Sequence, residues 1–513
     1  MKKNYLFIAA AFFVALSIYS CKKELNPALD SVVQTSITPR YLNSIVLGAY
    51  TKLQPLAGSG DILLDAEATT DALIIPVRVG GDWLDGDEHA QLWLHTYLPG
   101  HGQIGPDWST LYAGIGQINI TIGLLQGLPA TSTSASSIAE LKTLRCYFYY
   151  LLLSYWGNVP YIISSSTNAS TAPTTPAATT YAALIAELKA DAPLLSSNTP
   201  ATDASQIGRI NKWGAYFLLA KLYLNQNVIT GGTDNSGYTA ASVYCDSIMT
   251  AGYSLVGNFL SNFSSNNQNS TENIFVIPYN HIAAGGLNIQ METMHYNQAA
   301  KYNWGSTGGP WNGYCANADY YQTFSNADAR KAGWMSGIQY AADGVTPLTT
   351  RGSDSSLVLN FRPQITGFLP TSTSPGATEY DGVRQQKWQL VNGYQGMDAA
   401  FSLFRYADVL LMKAECVYRL GNPTAALNYT APVRQRAGLS NFSSSAFALD
   451  SIYAERGREF VWEGWRREDQ IRFGHFKDAK QFKHVDPDNH AALFPIPTTA
   501  IAQDPNLTQN PGY

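Results

Sequence analysis

The chain has 513 residues, more than one hydrophobic core usually organises, so several lobes or a stacked-repeat scaffold are expected. Charged residues make up only 14% of it and the formal net charge is −5, which argues against a nucleic-acid binder with its basic footprint. The five cysteines stand singly, with no C-x-x-C pair and no histidine at metal-ligand spacing, which argues against a zinc finger or a redox pair.

The amino terminus reads as an export signal. Lys2 and Lys3 precede an apolar run over residues 5–18 that is too short to stay in a bilayer as a spanning helix. Ile18 stands three places before Cys21 and the small Ser20 directly before it, the pattern of a bacterial lipoprotein signal. Residues 1–20 are then a signal peptide, and Cys21 is the acylated residue that anchors a polar tether, residues 21–39, to a membrane. No later run is long enough to cross a membrane; "LRCYFYYLLLSYW", residues 144–156, is short and carries Arg145, as a buried helix would.

The body, residues 40–513, begins with a helical pattern over 40–54 and a Gly- and Asp-rich loop region over 56–106. Apolar residues then recur at helical spacing over 108–125, 138–156 and 181–195. The link "SSSTNASTAPTTPAATT", residues 164–180, is a surface loop by composition. From residue 212 the pattern becomes repetitive. "KWGAYFLLAKLYLNQ" and "YTAASVYCDSIMTAGYSL" resemble a tetratricopeptide-type helical hairpin. "RYADVLLMKAECVYRLGN" and "PTAALNYTAPVRQRAGL" form a second pair, with Gly421 placed for a left-handed C-cap and Pro423 opening the next helix. Between the pairs, residues 258–399 are rich in Gly, Asn, Ser and aromatics, with short strand-like pieces such as "ENIFVIPY". Loops this long are uncommon unless they carry function. The expected fold is mainly α. Its scaffold of tetratricopeptide-like hairpins spans about 40–55, 107–257 and 400–475, with a few short strands and ligand-facing loop regions at 56–106 and 258–399. Cys146, Cys245, Cys315 and Cys416 are expected free and buried, a disulfide in an exported chain remaining open.

Charge concentrates in "AERGREFVWEGWRREDQIRFG", residues 454–474. Read as one amphipathic helix, it places Glu455, Glu459, Glu463 and Arg466 on one stripe and Tyr453, Phe460 and Gly464 opposite. Paired carboxylates could serve hydrolysis, but arginines at ion-pairing distance would keep these acids ionised, the wrong state for a general acid. A structural role is expected.

The same stretch resembles an element near the carboxyl terminus of the SusD/RagB family, nutrient-binding lipoproteins of the outer membrane. Four further motifs are similar to the family's in the same order: "LRCYFYYLLLSYWGNVPYI", "GRINKWGAYFLLAKLYL", "FSLFRYADVLLMKAECVYRLGN" and the terminal "LFPIPTTAIAQDPNLTQNPGY". The resemblance covers essentially the whole mature chain, and the motifs together are highly specific. Pro432 and Ala500 depart from the pattern, the former expected to kink or reset its helix. The resemblance implies a SusD-like, mostly helical body held at the cell surface by its lipid, capping a SusC-type TonB-dependent transporter. Such proteins capture oligosaccharides, or sometimes peptides, without catalysis or a cofactor.

Sugar rings are bound by flat aromatic faces, with carboxylates and amides taking the hydroxyls. Two Gly-rich stretches offer this. Residues 76–102 hold Asp82, Trp83 and Asp85; residues 302–321 hold Tyr302, Trp304, Trp311 and Tyr314. For each aromatic, burial under its own loop weighs about as much as a ligand face. Trp93 and Trp108 sit in or beside helical patterns and are expected in the core. The run "DWLDGDEH" lacks calcium-loop spacing, and His89, His95 and His101 share no helix face for zinc, so no metal is expected. Three alternatives stay open: a peptide-capturing relative, a lid without ligand affinity, and a glycoside hydrolase using the acids near Trp83.

Overall fold

The computed structural model describes residues 39–58, 61–283, 285–305, 309–351 and 356–513. The expected signal peptide and Cys21 lie outside the described residues. The chain divides into two units, residues 1–47 and 48–513. The described residues of the first belong to the helix Pro39–Tyr50, which a 3-10 turn, Thr51–Leu56, follows.

In the second unit, α1 (Ile62–Ala68) and α2 (Glu88–Leu94) flank a loop, and the long α3 (Ile104–Gln126) and α4 (Ser132–Trp156) follow. A capping box starts α4: Thr131 Oγ1 accepts from the Ser134 N–H at 3.0 Å and Ser134 Oγ accepts from the Thr131 N–H at 2.8 Å. Gly157, at φ 71°, ends it. Residues 146–153 of α4 are buried on every side, because α3 packs against it and so does α5 (Ala177–Asp191). This is the buried helix expected from its apolar run.

The two hairpins are present. Asn211 caps α6 (Lys212–Leu224) by accepting from the Trp213 and Gly214 N–H groups, each at 3.0 Å, and α6 pairs with α7 (Ser236–Met249). Far along the chain, α8 (Tyr406–Arg419) pairs with α9 (Pro423–Arg436). Asn422 caps α9, Gly421 takes φ 89°, and the helix continues through Pro432. The hairpins stack α7 on α8, burying apolar faces that neither could cover alone. Between them, β1 (Asn273–Ile277) pairs antiparallel with β2 (Phe401–Arg405), so the ends of the loop-rich insertion meet. Both strands are wholly buried. Cys146, Cys245, Cys315 and Cys416 are free and buried, as expected.

The charged stretch is not one helix. It breaks into α10 (Leu449–Glu459) and α11 (Arg466–Phe473). The break follows from the apolar residues between them. Phe460, Val461, Trp462 and Trp465 are all buried, which a continuous helix with a charged stripe would not allow. Trp462, at φ 58°, donates its indole N–H to the Ala72 carbonyl at 2.9 Å. Gly464 turns at φ 85°, where a Cβ would fall 2.9 Å from Leu63.

The structural role of the charges stands, in the interior. Arg405 pairs with Glu272 (2.5 Å), Glu459 (3.0 Å) and Glu463 (2.7 Å). Arg330 pairs with Asp328 (2.8 Å), Glu455 (2.8 Å) and Glu459 (3.1 Å). Burial alone would raise the pKa of Glu459, but Arg436, Arg405 and Arg330 bring it down to about 2. The network ties β2, α10 and the insertion together.

Candidate functional site

The loop before α2 and the insertion are stitched together by backbone. Ile74 bridges Cys315, and Arg78 bridges Ala377. This brings Asp82, Trp83 and Asp85 against Trp311, over 220 residues away in sequence. All four line an open depression of about 510 Å³, with Gly81, Tyr296 and Arg351 completing its wall.

Trp83 is held in place. Its indole N–H donates to the Trp311 carbonyl at 2.7 Å, and its ring lies 5.2 Å from His89 and 5.7 Å from Tyr314, centroid to centroid. The ring covers Gly313 so closely that a Cβ there would sit 2.2 Å from two of its carbons. Trp83 itself adopts φ 67°, and Asp85 and Asp87 follow at φ 34° and 65°. Non-glycine residues in this region carry backbone strain, which concentrates at functional sites. Trp311 is 37% exposed.

The polar side of the depression is an acid–base ladder. The Tyr296 hydroxyl donates to Asp82 Oδ2 at 2.5 Å, and the Arg351 Nη2 donates to the same oxygen. The Arg351 guanidinium lies over the Tyr296 ring, 3.1 Å from its centroid. Behind it, Glu379 accepts from the Arg351 main-chain N–H at 2.7 Å and hydrogen-bonds His295 Nε2 at 2.9 Å. Burial would raise the Glu379 pKa, but these hydrogen bonds and Arg351 lower it to about 2. Burial lowers that of His295. Asp82 is an engaged acceptor, and Asp85 is exposed, 3.8 Å from His89.

Two expected ligand aromatics are core instead. Trp304 is buried among Met291, Met294, Met335, Leu359 and Phe361, and its indole N–H donates to the Val391 carbonyl at 2.8 Å. Flexible methionines fill in around the ring and an internal carbonyl takes its polar handle, so neither face is left for a ligand. Tyr314 is 1% exposed, wedged between Trp83 and Trp462. Tyr302 is half-buried, stacked on Trp304 at 4.8 Å and away from the depression. Trp93 and Trp108 are core, as expected.

Tyr296, Arg351 and Glu379 were missed by sequence reasoning. Arg351 left a trace as the one cation in the polar run "LTTRGSDSS". The other two carry no local signal. A larger cavity, about 650 Å³, is walled by Leu153, Val228, Ile229, Ile471 and Leu493. Its buried carboxylate, Glu468, is already taken by Lys221, Arg472 and Tyr150. Phe476, Lys477, Asn158 and Asn489 also line it, but no tryptophan does, so it offers no indole face of the kind Trp83 and Trp311 present.

Residues 271–513 match the family model described as the SusD family, and residues 78–224 match the model described as starch-binding associating with outer membrane. Among curated proteins, the chain is 24% identical over 471 residues to the starch-binding protein SusD of Bacteroides thetaiotaomicron, covering 84% of this chain and 82% of that one. A SusD-like protein of Formosa agariphila is 23% identical over 459 residues, covering 80% of each. Among solved structures, a surface glycan-binding protein A of Bacteroides thetaiotaomicron in complex with laminarihexaose superposes with a TM-score of 0.71 at 22% identity, over 92% of this chain and 99% of that one. A laminarin-binding SusD-like protein gives 0.72 at 18% identity, with the same coverage. Residues 271–513 thus belong to the SusD family, residues 78–224 match a second SusD-like model, and the fold is shared almost end to end with SusD-like structures.

Proposed function

We propose that this protein is a cell-surface lipoprotein, acylated at Cys21, that binds oligosaccharides across the Trp83–Trp311 depression. It passes them to a SusC-type TonB-dependent transporter in the outer membrane and performs no catalysis of its own. One observation carries the reading: a part-exposed Trp311 and a pinned Trp83 share an open depression with Asp82, Asp85 and Arg351. Indole faces cover the C–H face of a sugar ring, and charged acceptors and donors at the edge take its hydroxyls. The relatives named for starch, laminarin and glycan binding support the ligand class. Asp82, as an acceptor already engaged by two donors, fits holding a ligand better than protonating one.

The test is electrophoresis of the protein lacking residues 1–21 through native gels containing neutral and charged polysaccharides. Retardation by at least one glycan is expected, with loss in Trp83→Ala and Trp311→Ala and with the glycan recovered at its original length. Shortened glycan would replace the binder with a hydrolase. Retention unaffected by both substitutions would move the site elsewhere. Co-purification of the membrane-bound chain with a large outer-membrane barrel tests the transporter partnership.

A further inference from the structure

Beneath the depression lie two buried arginines whose donors go to uncharged acceptors. Arg78 donates from Nε to the Asn312 carbonyl (2.9 Å), from Nη2 to that of Gly313 (3.0 Å), and from Nη1 to those of Thr378 (2.9 Å) and Asp381 (2.8 Å). Arg384 donates from Nε and Nη2 to the Asn312 side-chain oxygen (3.2 and 2.7 Å). Its remaining bonds reach the carbonyls of Glu379 (3.0 Å), Asp381 (2.8 Å) and Gly382 (2.7 Å). Burying two guanidiniums close together without carboxylate partners is unfavourable; burial, with Arg78 adding to it, lowers the Arg384 pKa to about 9. Carbonyl dipoles offset part of this. Features this costly persist where the geometry they impose is needed.

What they impose is specific. The forks join two loops, 311–313 and 378–382. The first carries Trp311 and receives the Trp83 ring and indole N–H; the second carries Glu379, which receives Arg351. Asn312, at φ 59°, is the shared hub, accepting from Arg78 on its main chain and from Arg384 on its side chain. A planar fork reaches two loops at once; a lysine ammonium is a point donor and cannot.

We propose that Arg78 and Arg384 are positioning residues of the ligand face, clamping the 311–313 turn to the 378–382 loop so that Trp83 and Trp311 stand at their final spacing before any ligand arrives. The proposal rests on reading Trp83 and Trp311 as the ligand face, but its test needs no ligand, so the two can fail separately.

The experiment is fluorine NMR of the full chain labelled with 5-fluorotryptophan, with lines assigned by Trp→Phe substitution. In Arg78→Lys and Arg384→Lys, which keep the charge and lose the fork, the Trp83 and Trp311 lines are expected to shift or split. Those of Trp108, Trp156 and Trp213, in the helical body, are expected to hold. Unmoved Trp83 and Trp311 lines in both variants would overturn the proposal. So would an equal shift of every tryptophan, which would make the arginines general core elements. Should the lysine variants fail to fold, Asn312→Gly removes the Arg384 acceptor and tolerates the left-handed turn. The same local shift is expected there, and its absence is equally decisive.

Discussion

The Trp83 indole N–H donates to the Trp311 carbonyl at 2.7 Å, linking two aromatics 228 positions apart. The two rings of the proposed ligand face are thus parts of one construction, and a change at either end is felt at the other.

Gly313 lies under that link. A Cβ at this position falls 2.2 Å from the Trp83 ring, so Gly313→Ala must lift the indole off the turn. Overpacking of this kind costs about 1–3 kcal/mol. Glycan retardation is expected to drop about tenfold or more, because the ring is displaced and not deleted. Affinity gels and thermal melting of the same preparation check both effects.

Trp304 and Trp311 are expected to give opposite phenotypes. Trp304→Ala empties a buried site and should destabilise by about 3–5 kcal/mol. Trp311→Ala, at a part-exposed position, should cost less than about 1 kcal/mol in stability and abolish retention of the glycan. Urea unfolding beside affinity electrophoresis separates the two.

Arg405 holds three buried carboxylates. Arg405→Leu leaves Glu272, Glu459 and Glu463 short of a cation in the interior, and a loss of about 3–5 kcal/mol is expected. Chemical denaturation measures it. A loss under 1 kcal/mol would mean that Arg330, Arg436 and Lys387 suffice for the network.

Acid should weaken the fold through His89. Burial lowers its pKa to about 4, against an opposing pull from Asp85. The folded protein therefore refuses a proton that the unfolded chain takes up near pH 6.5. The stability from this group is present above that pH and lost as pH falls toward about 4, by about 2 kcal/mol between pH 7 and pH 5. His95, also lowered to about 4 by burial, adds in the same direction. His89→Leu is expected to flatten the pH dependence by about that amount in urea titrations at the two pH values. An unchanged slope would refute the assignment.

Much of the scaffold was readable because its signals are local. Helical periodicity, the Asn211 and Asn422 caps and the Gly421–Pro423 boundary lie within a turn or two of what they specify. The charged stretch misled as to shape, since the four buried aromatic and aliphatic residues at its middle take partners such as Ala72, nearly 400 positions away. The candidate site was half legible. Asp82, Trp83, Asp85 and Trp311 stood out as aromatics and acids in Gly-rich loops. Trp304 and Tyr314 carry the same composition and differ in what covers them: methionines for one, Trp83 and Trp462 for the other. Tyr296 became visible only as the hydroxyl that reaches Asp82.

The pairing of β1 with β2 closes off the long insertion at its base. The chain leaves the helical body after β1 and rejoins it at β2, a buried junction fixed by Arg405 and its acids, and touches the body again where Arg330 reaches Glu455 and Glu459. Sequence drift in the loops away from those contacts need not propagate into the hairpins. The arrangement behaves as a socket and cartridge: one body can be refitted over evolutionary time with new specificities, provided that each cartridge still meets the loop bearing Trp83.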